Sequence, residues 1–175
     1  MNVDFIRSQF PGLNRDYVFF DNAGGSQIAK QVIDKINDYF INSFVQLGAT
    51  YKVSALATKR VAEVQKVGKI LLNANDESEI VTGSSTTMLL KQLALAMLKN
   101  LNAGDEIIVT NCDHEANIGA WMTLQRFGIV IKVWELNQDS FQLELDDLEA
   151  LISERTVLVA FTHASNILGT INPVK

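Results

Sequence analysis

"GDEIIVTNCDHEANIGAW", residues 104–121, is the stretch whose reading decides the fold. Its first part, "EIIVT" (106–110), is an apolar, β-branched run of strand length. "ANIGAWMTLQRF" (116–127) reads as a helix, and the polar "NCDHE" lies between the two. The same alternation continues downstream. "GIVIKVWEL" (128–136) reads as a strand and "NQDSFQLE" as a connection. "LDDLEALI" reads as a short helix with Asp146 and Asp147 in its first turn, where the helix dipole favours acids. "TVLVAFTH" (156–163) reads as a third strand, nearly continuous in apolar residues. Runs of that kind are buried on both faces, as parallel strands are in α/β folds.

Upstream, "YVFFD" (17–21) reads as a short buried strand, followed by a glycine-bearing loop, "DNAGGSQ". Helical spacing of apolar residues predicts a helix from about 29 to 44, and Gly48 breaks that pattern. A second helix is predicted over roughly 54–72. "EIVT" (79–82) reads as another strand, and "GSSTTMLLKQLALAMLKNL" as a glycine turn, a capping cluster and an apolar helix that stops at "NAGD" (102–105). No internal repeat, low-complexity tract or obvious linker interrupts the order.

The bulk properties exclude several classes. The chain has 175 residues, 47% of them hydrophobic, and a net charge of −5. That is enough to bury a core and too acidic for nucleic acid as the main partner. No apolar run is long enough for a membrane span, and no signal-type segment opens the chain. The single cysteine, Cys112, makes no internal disulfide. A soluble, cytoplasmic protein is the expectation.

Ligands of open parallel sheets bind beyond the carboxyl ends of the strands. Three polar segments follow apolar strands here. "TGSSTT" (82–87) offers a glycine and hydroxyls at a helix start, which suits a phosphate, although a simple N-cap explains it as well. "DHEAN" (113–117) holds one of only two histidines, His114, as a base, a metal ligand, a stacking ring or a cap residue held by Asp113. Cys112, Asp113, His114 and His163 match no zinc spacing, so no metal is expected. Cys112, flanked by acids, reads as an inert thiol rather than a nucleophile. "THASNILGT" (162–170) holds His163, Ser165 and Asn166 in what is either a directional amide site or an Asx-type turn closed by Gly169. No G-x-S-x-G elbow supports a serine hydrolase. Together the three segments could hold a flat, phosphorylated heteroaromatic ligand.

The order and spacing of "FPGL…YVFFDNAGGSQIAKQVIDKI", "GSST", "GDEIIVTNCDHEANIGAW" and "THASNILGTI" resemble the class V aminotransferase-type pyridoxal phosphate enzymes, specifically their cysteine desulfurase-like branch. The resemblance covers nearly the whole chain and implies an α/β fold of the pyridoxal-phosphate-transferase kind (fold type I). It implies residues 1–50 as an N-terminal segment with a substrate-side loop, and 51–175 as the first part of the cofactor-binding large domain. It implies pyridoxal 5'-phosphate as cofactor, a cysteine-like amino acid as substrate, and a homodimer. His114 would stack on the pyridine ring and handle protons. Ser84 and Ser85 would bind the phosphate and Asn166 the phenolic oxygen. Asp21, Asn22, Ala23 and Gly24 would lie on the substrate side, with Asn117 and His163 as supporting residues. "SST" replaces the family's usual "TTE", and Glu115 stands where many desulfurases have a second histidine.

The family's Schiff-base lysine, its pyridinium-pairing acid and its nucleophilic cysteine all follow the "SNILG" segment, beyond Lys175. The other lysines, Lys132 among them, read as solvated positions. The expectation is therefore an N-terminal fragment, inactive alone, with an exposed sheet edge that favours association. The alternatives are another class V reaction, such as transamination or a different lyase step, and a non-catalytic binding module.

Overall fold

The computed structural model describes residues 1–16, 18–172 and 174. It divides into two compact units, Met1–Val81 and Thr82–Lys175.

The first unit is helical among its described residues. It contains α1 (Val3–Ser8), a 3-10 turn at Pro11–Leu13, α2 (Lys30–Asn42), α3 (Lys52–Leu72) and a 3-10 turn at Glu77–Glu79. Asn2 caps α1 by accepting from the Phe5 N–H. Polar side chains rather than a large core pin the loop between α2 and α3. The fully buried Ser54 hydroxyl donates to the Gln46 carbonyl at 2.6 Å and accepts from the Ala49 N–H at 2.9 Å. Arg60 donates to Ser43 Oγ at 2.6 Å and pairs with Asp38 at 2.7 Å.

Two strand expectations fail here. Val18–Asp21 form no strand, and Phe20 is almost fully exposed; Tyr17, which began that stretch, lies outside the described residues. A strand needs a ladder partner, and none of the three strands formed by described residues pairs with this segment. "EIVT" is a 3-10 turn followed by irregular chain. Ile80 packs so close to Gly68 of α3 that a Cβ at Gly68 would meet it at 2.7 Å, and the Gln65 amide reaches the Ile80 carbonyl. The segment is bound to a helix instead of a sheet.

The second unit carries α4 (Thr86–Met97), β1 (Glu106–Thr110), α5 (Glu115–Met122), β2 (Val130–Trp134), α6 (Leu145–Leu151) and β3 (Thr156–Val159). The strands form a parallel sheet in the order β2–β1–β3. All five residues of β1 are buried, as a central strand between two layers requires. Ile107 and Val109 face α4 and α5 in a cluster with Ala94, Ala120, Trp121, Leu124 and Ile129. Ile108 faces the other way, into Trp134 and Leu143 with Leu148 and Leu151 of α6 behind them.

The flanking strands depart from the expectation of burial on both faces. Val130, Val133 and Val157 are each more than 40% exposed, because β2 and β3 are edges among the described residues. The predicted helix over 116–127 tightens into a 3-10 turn at Thr123–Phe127 and stops at Gly128, whose φ of +85° suits glycine. α4 likewise ends at Met97 and continues as a 3-10 turn to Asn100, short of "NAGD". Gly104 in that segment donates its N–H to the Gly128 carbonyl instead, tying the two turns together.

Candidate functional site

The exit of β1 is built from short-range hydrogen bonds. Asn111 accepts the Leu136 N–H at 2.8 Å, which ties the exits of β1 and β2 together. Cys112 is half-buried with its sulfur 3.7 Å from the Thr110 hydroxyl, a contact for a packed thiol. His114 is the N-cap of α5, with φ −66° and ψ 140°. Its Nδ1 accepts the Ala116 N–H at 3.0 Å, which satisfies one of the donors a helix start leaves over. The rest of the ring is exposed.

Asp113 holds His114, though not through the imidazole. One carboxylate oxygen accepts the His114 backbone N–H at 3.1 Å. The other accepts the Asn117 amide at 3.0 Å, and Asn117 in turn accepts the Trp121 indole N–H at 3.0 Å. The spacing of Asp113, Asn117 and Trp121 at successive helical turns was a readable signal for this chain.

The exit of β3 lies on the same sheet edge as that of β1, because the strands are parallel. The segment after it folds back as a tight loop, with Ala164 bridged to Ile171 and Asn172 donating to the His163 and Thr162 carbonyls at 2.8 Å. A serine helps to hold the turn. Ser165, buried, accepts the N–H groups of Ile167 and Leu168 at 3.3 and 3.1 Å. Gly169 adopts φ +75°, as the turn reading required. Asn166 sits exposed at the tip. Sequence reasoning missed Ser165 and Asn172 as the holders of this loop; a Ser and an Asn flanking the turn were the available signal.

At the third segment Ser85 is the N-cap of α4 and accepts the Met88 N–H at 3.2 Å, so its oxygen has a structural task. Ser84 beside it is exposed. Gly83 is confined by Leu89, which a Cβ would meet at 2.7 Å. Asp21, Asn22, Ala23 and Gly24 lie in the first unit as an exposed turn closed by the Gly24 N–H on the Asp21 carbonyl at 3.2 Å. Among the described residues no group of three or more His, Cys, Asp or Glu side chains is gathered as a metal ion would need. Among the described residues no helix is long and apolar enough to cross a membrane.

The opposite edge of the sheet is a closed ion cluster. Glu106, 2% exposed, is 2.6 Å from Lys132 and 3.1 Å from Arg155, and it accepts from Ser153 at 2.6 Å. The hydrogen bond from Lys132, with those of Ser153 and the charge of Arg155 behind it, holds its carboxyl down at about 2. Lys132 also donates to the Leu151 carbonyl, so it is a bridging cation and not the solvated position its sequence context implied. Lys175 lies outside the described residues.

Comparison with known proteins places the chain. Over 99% of its length it is 42% identical to the aminotransferase-like protein FGM3 of Gibberella zeae and 34% identical to a cysteine desulfurase of Escherichia coli. It spans 44% of the length of each of those relatives. The structure of an apo cysteine desulfurase from Thermococcus onnurineus superposes with a TM-score of 0.87 at 27% identity, covering 98% of this chain and 42% of that one. The cysteine desulfurase CsdA of Escherichia coli superposes at 0.82 and 27%, with 99% and 44% covered. The fold is that of these pyridoxal-phosphate-transferase enzymes, present as a partial domain. The model of the family described as aminotransferase class-V matches residues 18–175, and the chain belongs to that family.

Proposed function

We propose that this chain forms the cofactor-placing part of an enzyme that acts on a cysteine-like amino acid. The family's cofactor is pyridoxal 5'-phosphate. The observation that carries the reading is the shared edge: β1 and β3 run parallel, and their exits lead to an exposed imidazole at His114 and an exposed amide at Asn166. The donor set fits the cofactor in kind. Ser84, Ser85 and the start of the 12-residue α4 suit a phosphate, the flat ring of His114 suits a pyridine face, and Asn166 suits a phenolic oxygen. When bound, the cofactor supplies an electron sink for bonds at the substrate's α-carbon. This chain's residues bind and orient it, and His114 holds or moves a proton beside it. Asp21 through Gly24 belong to the substrate side in this reading, with 1–50 as the segment that carries them and 51–175 as the large-domain part. A cytoplasmic homodimer as the whole protein completes this reading.

The test is equilibrium dialysis of the chain against pyridoxal phosphate and against pyridoxal. Retention of the phosphorylated form, weakened by His114→Ala and by Asn166→Ala, is the expected result. Equal retention of both, or none, overturns the reading. Borohydride reduction before intact-mass analysis is expected to leave no stoichiometric adduct, and an adduct on one lysine would overturn the non-covalent assignment.

A second reading has its own observation. The relative at 42% identity is named aminotransferase-like and the one at 34% a cysteine desulfurase, which supports another class V reaction, transamination or a different lyase step, as the alternative to sulfur elimination. Substrate assays that score keto-acid formation against sulfide release decide between them. A chain that retains no cofactor and captures a protein instead would be a non-catalytic binding module.

A further inference from the structure

Trp121 is 4% exposed, and its indole N–H can only donate. It gives that proton to Asn117 Oδ1, so the amide oxygen faces Trp121 and the amide nitrogen must face Asp113. That orients the Asp113 carboxylate, whose second oxygen takes the backbone N–H of His114. Three residues at successive turns thus pin one backbone unit at the cap of α5. At the resulting φ of −66° and ψ of 140°, His114 Nδ1 meets the Ala116 N–H at 3.0 Å. A nitrogen that accepts an N–H presents a lone pair, so Nδ1 carries no proton and the neutral ring holds its proton on Nε2.

We propose that the Asp113–Asn117–Trp121 chain is a positioning device that fixes His114 as the Nε2–H tautomer and leaves Nε2 as the only ring nitrogen free to exchange a proton with a ligand. Its functional meaning rests on the reading that His114 faces the cofactor; the tautomer itself does not. The three members are positioning residues, acting on His114 through its backbone, and Nδ1 is structural. Cys112 and Glu115 take no part in these bonds, so the device is independent of the second histidine that Glu115 replaces.

The test is long-range proton–nitrogen correlation NMR of the two imidazoles in the full, uniformly ¹⁵N-labelled chain, with His163→Gln assigning the signals. His114 is expected to show a pyridine-type Nδ1 and a protonated Nε2. Asn117→Ala is expected to lower the ratio of Nε2–H to Nδ1–H tautomer about fivefold, the equivalent of one hydrogen bond of ~1 kcal/mol. Asn117→Asp, which still accepts from Trp121 but cannot donate to Asp113, is expected to match it. Trp121→Phe shifts the ratio in the same direction by less, and His163 stays put in all three. A role confined to stability would lower Tm and leave the ratio alone. The proposal is overturned if wild-type His114 is the Nδ1–H form or a mixture, or if folded variants melt lower with an unchanged ratio. Cofactor dialysis on the same samples separates the two ideas. The expected tautomer without cofactor retention sinks the proposed function alone, and retention with the other tautomer sinks this inference alone.

Discussion

At its entrance, β1 begins with a carboxylate surrounded by Lys132, Arg155, Ser153 and Thr156; beyond its exit, Asp113 and His114 spend their hydrogen bonds on nearby backbone N–H groups and the Asn117 amide and leave a ring in solvent. The same short strand therefore separates a closed polar cluster from an open one. Glu106 has no capacity left for a ligand. At the exit, backbone and amide groups do the holding, so the imidazole edge stays available. The exit is also stiffened by packing rather than charge. Trp134, 1% exposed, stands edge-on to Phe161 with ring centroids 5.7 Å apart and donates its indole N–H to the Glu144 carbonyl at 2.9 Å.

The largest expected effect comes from breaking the aromatic fastening. Trp134→Ala removes a fully buried ring from between β1 and α6, and truncations of that kind cost ~3–5 kcal/mol. Urea denaturation is the measurement, and a loss under ~1 kcal/mol would mean that packing does not hold the exit. The ionic fastening comes second and has a pH signature. Glu106 ionises far below its ordinary 4.5, at about 2, so its stabilising contribution is fully present above pH 4.5 and disappears as pH falls through about 2. Thermal melts of the wild type are expected to weaken across that acid window. Glu106→Gln is expected to lower Tm at pH 7 and to flatten the same stretch of the profile. A variant whose acid profile overlays the wild type would show that the cluster is ornamental.

The difference between the ends also explains which parts of the molecule were legible in the sequence. "EIIVT" was readable because its five apolar-lined positions match a strand buried on both faces, and the observed strand has the same limits. The helices over 30–42, 52–72 and 86–97 were readable from spacing and caps to within a few residues. "YVFFD" and "EIVT" have the same composition as real strands, but composition cannot supply a ladder partner. Lys132 read as a solvated charge, because its partners, Glu106 and the Leu151 carbonyl, lie on another strand and at the end of α6. His114 was legible as a residue of interest through its place after a strand. Its bond to Ala116 depends on backbone angles at the cap, which no sequence pattern states.

The smallest effects sharpen the comparison most, because two adjacent serines given the same role by resemblance have different structural duties. Ser85 accepts the Met88 N–H as the cap of α4, so Ser85→Ala is expected to cost ~1 kcal/mol. Ser84 is exposed, and Ser84→Ala is expected to change stability by less than ~0.5 kcal/mol. If both hydroxyls bind phosphate, both variants weaken retention of pyridoxal phosphate relative to pyridoxal, and only one of them melts early. If Ser85 is a cap alone, its variant loses stability while phosphate selectivity survives in it and falls only in Ser84→Ala. Phosphate selectivity that survives in both Ser84→Ala and Ser85→Ala would leave the start of α4 as an ordinary capped helix and would move the role of the two hydroxyls off this segment.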